Sequence, residues 1–201
     1  MIAIIDYGMG NLRSVLKAFE HIASKAFVTS SPSRILKADK IVLPGVGAFG
    51  DAIEELTRKG LYDAIIEAIG RGKPFFGICL GMQLLVSQSQ ESPHAKGLRV
   101  LKGEVVKFIP TTKLKVPHIG WNQVELVKKS LLFKGLKNRE YFYFAHSFYV
   151  KPKERNAVSG ITNYGVRFTS CIEKENIFGV QFHPEKSQKA GLVVLKNFSK
   201  I

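Results

Sequence analysis

The chain has 201 residues, of which 45% are hydrophobic, enough for one sizeable core, and this excludes disorder over most of its length. Lys and Arg number 30 against 16 Asp and Glu, a net charge of +14 that would attract nucleic acid, anionic lipid or phosphorylated substrates. The basic residues are scattered, however, as at Lys128, Lys129 and Lys134, and no helix-turn-helix or zinc-finger pattern organises them, so a solvated surface without specific nucleic-acid binding is expected.

Cys79 and Cys171 make neither a disulfide framework nor a zinc site, and no metal is expected. No apolar run is long enough to span a bilayer. Asp6 interrupts the apolar start without a basic segment before it, so no signal peptide is expected and a reducing, cytoplasmic setting is.

In chain order, Ile2, Ile4 and Ile5 predict a short strand ending at Asp6, followed by a turn at Gly8 and Gly10. Asn11 is placed to cap a helix bearing Leu12, Val15, Leu16, Phe19 and Ile22 on one face. A strand over 26–28 leads to turn residues 30–33, and a third strand over 41–43 leads to Pro44. A helical pattern with a break near Gly60 follows, then a strand through Phe75, Phe76 and Ile78 that ends at Cys79 and starts a helix over 80–85. Strands alternating with helices predict an α/β fold with an open, mostly parallel sheet flanked by helices. Residues 87–97 read as a polar surface connection. Beyond them, strand-like runs around Val105, Phe108 and Val124, and over 141–145, 157–162, 166–172 and 178–182, predict additional antiparallel strands in the C-terminal half, closed by a helix over 192–198. No linker is apparent, so residues 1–201 are expected to form a single domain.

Gly77-Ile78-Cys79-Leu80-Gly81 has the arrangement of a nucleophile elbow. Its glycines permit a tight strand-to-helix turn, and the helix start would favour thiolate over thiol and present free backbone N–H groups. A buried cysteine in an ordinary turn is the plain alternative. Phe182-His183-Pro184-Glu185 follows a late apolar run, which suits His183 to take and return a proton and Glu185 to fix the imidazole tautomer. Pro44-Gly45-Val46-Gly47-Ala48-Phe49-Gly50 can turn an N–H toward a developing oxyanion together with the N–H of Leu80. Gly45, Gly47 and Gly50 also satisfy a dinucleotide-binding fingerprint, but no acidic residue closes a following strand about 20 positions on; a structural turn is the other alternative. His21, His94, His118 and His146 form no tight ligand cluster.

At these residues the chain resembles the class I glutamine amidotransferases, and among them the glutaminase subunits of imidazole glycerol phosphate synthases. The resemblance runs along nearly the whole chain, through residues 6–12, 44–50, 77–85, 117–122, 143–148 and 181–187. It implies the flavodoxin-like fold of that family, a Cys79-His183-Glu185 triad, and an oxyanion region framed by Gly47 and Leu80. It also implies that Gln83 and the Ser147-Phe148 backbone hold L-glutamine, with Gly81 permitting close approach. His118, Trp121, Tyr143 and Lys186 would lie near a partner face or its signalling route; for Trp121 and Tyr143 the alternative is aromatic core packing. No cofactor is implied. The partner would be a cyclase subunit with a (β/α)8 barrel, forming a heterodimer and receiving ammonia through an internal passage. Another class I glutaminase, serving pyridoxal phosphate or anthranilate synthesis, and a noncatalytic interaction module of the same fold are the competing readings.

Overall fold

The computed structural model describes residues 1–110 and 114–201. Its elements run β1 (Ile2–Ile5), α1 (Leu12–His21), β2 (Ala26–Thr29), α2 (Pro32–Lys37), β3 (Lys40–Gly45), α3 (Phe49–Arg58), α4 (Leu61–Gly70), β4 (Phe75–Cys79) and α5 (Leu80–Gln83). They continue with β5 (Gln88–Ser89), β6 (Gly103–Lys107), β7 (His118–Leu126), β8 (Glu140–His146), β9 (Phe148–Pro152), β10 (Val158–Tyr164), β11 (Val166–Lys174), β12 (Ile177–Val180) and α6 (Gln188–Lys200).

The sheet order is β2-β1-β3-β4-β12-β11-β10-β7-β8, with β9 also pairing β11 and linking to β6 and β5. The run from β2 to β12 is parallel, and from β12 to β8 each neighbour is antiparallel. This is the expected mixed α/β architecture. The parallel strands read as unbroken apolar runs because both faces are covered. Their side chains alternate between the two faces. Ile5, Leu43 and Phe75 pack with Leu56 of α3 and Ile65 of α4. Ile4, Val42, Phe76 and Phe178 pack with Phe19 of α1 and Phe198 of α6. Phe76 and Phe198 sit 5.0 Å apart between ring centroids, both fully buried. Truncating Phe198 to Ala would remove about 3–5 kcal/mol of stability.

Three local expectations change. Residues 30–33 are not simply a turn, because α2 begins at Pro32, whose fixed φ suits a first helical position, with Ser31 extended before it. The helix after Cys79 is one turn, shorter than the 80–85 apolar run suggests. Asn11 does cap α1, its side chain accepting from Ser14 N at 3.4 Å. Residues 87–97 are more than a surface connection: Glu91 accepts from Phe49 N at 2.8 Å and Ser92 Oγ from Gly50 N at 3.1 Å. They supply the capping that Ala48 cannot give to the first turn of α3. Among the described residues, no helix is long and apolar enough to cross a membrane.

Candidate active site

The elbow is built by what its glycines leave out. Cys79 has φ +53° and ψ −107°, between the end of β4 and the start of α5. A residue other than glycine rarely holds such a backbone unless its surroundings enforce it. A Cβ at Gly77 would lie 2.6 Å from the Gly81 carbonyl carbon and 2.7 Å from Met82 N. A Cβ at Gly81 would overlap the Leu43 carbonyl oxygen. The two glycines let the chain fold back onto β3 and β4, and Cys79 is left 6% exposed at the C-terminal end of an interior parallel strand.

β12 lies parallel beside β4 with Val180 opposite Ile78, so residues following both strands emerge at the same sheet end. That register brings His183 to Cys79 across a sequence distance that no local motif encodes. His183 lies close enough to Cys79 for the sulfur to act on its imidazole, and its Nδ1 meets Glu185 Oε1 at 2.8 Å. Burial pulls the imidazole down, but hydrogen bonds to Cys79 and Glu185 and the negative charge on each outweigh it, raising the His183 pKa to about 10. The His183–Glu185 pair is almost wholly enclosed, with side-chain exposures of 5% and 2%.

Beside the sulfur is a cavity of about 260 Å³, lined in part by Gly47, Leu80, Gln83, Glu91, Ser147 and Phe148. Gly47 has φ +97°, a conformation open to glycine and costly for other residues. Gln83 Nε2 donates to the Phe148 carbonyl at 2.9 Å, and His146 Nδ1 meets the same oxygen at 2.8 Å. Gly81 does not line the cavity, and its missing side chain permits a close approach to Leu43 of β3.

The four residues assigned to a partner face divide. Trp121 is 46% exposed, which rules out core packing for it. It pairs across β7 and β8 with Tyr143, the rings 6.1 Å apart in a T-shape, and Lys186 Nζ lies 5.9 Å from the Tyr143 ring. His118 is apart from this patch. It is buried, with Nδ1 3.0 Å from His146 Nε2 and its ring 3.9 Å from that of Tyr164. Burial lowers His118 to about 4 and His146 to about 3, so both are neutral near pH 7.

Three residues at the site escape a reading of the sequence alone. Glu91 reaches the cavity from a polar stretch 42 positions beyond the helix start it caps. Gln181 is fully buried with its amide on the Cys79 sulfur. The Tyr7 hydroxyl is buried and unpartnered among the described residues, held neutral by burial and by the Cys79 charge. None of the three stands in a local pattern that announces its neighbour; only the alternation that carries Gln181 past β12 hints at one.

Residues 3–201 match the model of the family described as glutamine amidotransferase class-I. The chain is 52% identical over 201 residues to the imidazole glycerol phosphate synthase subunit HisH of Pyrococcus furiosus, covering 100% of this chain and 98% of the relative. It is 52% identical over 200 residues to the HisH subunit of Moorella thermoacetica, covering 100% and 94%. Among solved structures, one described as a glutamine amidotransferase superposes with a TM-score of 0.77 at 16% identity, covering 100% of both chains. The structure of PurLQS from Thermotoga maritima gives 0.73 at 19% identity, covering 98% of this chain and 96% of that one. At such identities the structural likeness speaks for the fold. The full-length sequence match, with the fold and the site geometry, establishes that the chain belongs to the class I glutamine amidotransferase family.

Proposed function

We propose that this chain is the glutaminase subunit of an imidazole glycerol phosphate synthase, hydrolysing L-glutamine to L-glutamate and ammonia through a Cys79 thioester. The observation that carries the reading is His183 held between Cys79 and Glu185, its Nδ1 2.8 Å from Glu185 Oε1. A protonated imidazole beside sulfur is the resting state of an activated thiolate.

The chemistry follows from these positions. The thiolate attacks the carboxamide carbon of glutamine, and backbone N–H groups at Gly47 and Leu80 receive the charge on oxygen. His183 gives its proton to the amide nitrogen, the C–N bond breaks and ammonia leaves. The sulfur is now a neutral thioester, so the hydrogen bond and charge that Cys79 lent to His183 are gone, Glu185 alone opposes burial, and the imidazole holds a proton less firmly. His183 thereby becomes a base, takes a proton from water, and the resulting hydroxide attacks the thioester. Collapse breaks the C–S bond, returns the electron pair to sulfur and releases glutamate. Gln83 and the Ser147–Phe148 backbone orient the substrate, and Glu91 supplies a carboxylate suited to the α-ammonium group of an amino acid. The chain's own groups supply every step.

The destination of ammonia rests on the relatives named HisH, which argue against pyridoxal phosphate or anthranilate synthesis as the pathway served. The partner is a cyclase subunit with a (β/α)8 barrel that joins this chain in a cytoplasmic heterodimer. Trp121, Tyr143 and Lys186 lie on the docking face, and the barrel takes ammonia through an internal passage. The barrel uses the ammonia on a phosphorylated formimino carboxamide ribotide, giving imidazole glycerol phosphate and aminoimidazole carboxamide ribotide in histidine biosynthesis. Residues 1–201 act as one domain in this assembly.

Copurification with candidate cyclases, followed by glutamine turnover with and without the nucleotide, tests the reading. Glutamate formation that requires the cyclase and disappears in Cys79→Ala is the expected result. Undiminished turnover in that variant overturns the nucleophile, and indifference to every cyclase overturns the pathway.

A further inference from the structure

Gln181 follows β12, is completely buried, and anchors its backbone N–H on the Ser170 carbonyl at 2.9 Å. Its side chain touches two groups. Nε2 lies 3.6 Å from Cys79 Sγ, within hydrogen-bond reach for sulfur, and Oε1 accepts from Gln83 Nε2 at 3.2 Å. The triad chemistry uses none of this.

The direction of both amides is dictated from the backbone. The Phe148 carbonyl can only accept, so the group of Gln83 that meets it at 2.9 Å is its NH2. That same NH2 faces Gln181, so the Gln181 oxygen must point toward Gln83. The Gln181 NH2 is then left for the sulfur. Flipping Gln181 would set two NH2 groups against each other and an oxygen lone pair against a thiolate. The orientation is therefore a consequence of one peptide carbonyl rather than a free choice between two amide rotamers.

We propose that Gln181 is a further catalytic residue, donating an N–H to the Cys79 sulfur and stabilising its anionic form. The proposal rests on Cys79 being the nucleophile. A hydrogen bond to an ionised acceptor is stronger than one to its neutral form. The Gln181 N–H thus acts at two points. It holds the thiolate before attack, and it meets the electron pair that returns to sulfur when the C–S bond of the second tetrahedral intermediate breaks. Between these points the thioester sulfur is neutral and the contact weakens. Gln83, which also lines the substrate cavity, fixes the orientation of Gln181, so substrate wall and nucleophile share one amide pair.

The test is alkylation of Cys79 by iodoacetamide in the full-length protein, followed by peptide mass spectrometry across pH, in wild type and in Gln181→Met. Methionine fills a similar volume without the donor. The expected result is an alkylation limb displaced upward by about one pH unit and a rate below the limb reduced about tenfold, the size of one donor to an ionised acceptor. In the cyclase complex kcat should fall about tenfold while KM for glutamine moves less than about twofold, which a packing defect at the substrate wall would not produce. A folded variant whose limb superimposes on wild type overturns the proposal. Gln181→Glu keeps the shape and reverses the polarity, and its limb should move further in the same direction; a superimposed limb there is equally fatal. Should neither variant fold, the wild-type protein still decides. The side-chain amide resonance of Gln181 must shift when Cys79 is alkylated, and an unmoved resonance overturns the assignment. Failure of wild-type Cys79 to be alkylated, or to be trapped by a glutamine analogue, sinks the underlying glutaminase reading instead, and the two failures are told apart.

Discussion

The two cysteines occupy neighbouring regions of one sheet and could hardly differ more in chemistry. Cys171 is in mid-strand on β11, paired with Val180, which is itself paired with Ile78, the residue before Cys79. Cys171 is fully buried among apolar side chains, and burial pushes its thiol far above the usual range. Cys79 is nearly as buried, yet it stands where β4 ends, with His183 and Gln181 aimed at its sulfur. Burial alone therefore does not separate a thiol packed among apolar side chains from one set among polar partners. The separation comes from a strand end, which supplies a turn, a cavity and unpaired backbone, where mid-strand supplies only neighbours.

The sharpest way to break this contrast is to remove each sulfur. Cys79→Ala should lower glutamine hydrolysis in the complex by about 10⁴-fold or more, as loss of a nucleophile does elsewhere. Cys171→Ala should leave kcat within about threefold and cost about 1–2 kcal/mol of stability for the small cavity, read by denaturant unfolding. Comparable losses in both variants would mean that the strand-end argument is wrong.

Next in size is the orientation of the base. Glu185→Gln keeps the shape but can no longer favour the imidazolium, and kcat should drop about 10²–10⁴-fold with KM little changed. The same substitution should lower the pKa of His183, measurable by NMR titration. Wild-type activity in this variant would reduce Glu185 to a packing residue.

Smaller effects sharpen the inert side. A Cβ at Gly160 would sit 2.9 Å from both Cys171 Sγ and Val124 Cγ1, so Gly160→Ala should cost about 1–3 kcal/mol through overpacking. Activity at saturating substrate should persist below the new melting transition.

The effects of pH are spread over several units rather than set by one substitution. His118 and His146 are depressed to about 4 and about 3, so between the ordinary histidine value and those points the unfolded chain binds more protons than the folded one. Stability should fall as pH drops below about 6.5, by up to about 1.4 kcal/mol per pH unit for each histidine. His183 has the opposite sign: raised to about 10, it contributes stability fully present below about 6.5 and lost as pH rises through about 10. Chemical denaturation at several pH values in wild type and His146→Asn checks both, and an unchanged acid slope in the variant would remove His146 from the account.

Legibility in the sequence follows the same division. The parallel strands are readable because a strand covered on both faces is a short apolar run between glycines and prolines, as in Phe75–Cys79. The elbow is readable because its constraints are local: Gly77 and Gly81 flank Cys79, whose turn they permit. The proximity of His183 to Cys79 is not, since it depends on which strand pairs with β4. α2 is hidden because only Ile35 of its six residues is buried, leaving no period to detect. Glu91 and Gln181 are hidden because each meets the site through a long-range contact. The resemblance groups His118 with Trp121, but the two are three residues apart along a strand, and positions an odd number apart face opposite sides of a sheet.

The backbone of Tyr143 has a geometrical corollary. Its carbonyl accepts the His183 N–H at 2.9 Å, and its N–H donates to Ser187 Oγ at 2.9 Å, while its ring sits among Trp121 and Lys186. The backbone of His183 is thus held to β8, whose Tyr143 ring packs against the exposed Trp121 indole. A partner bound over that indole would reach the His183 backbone through Tyr143 without entering the cavity.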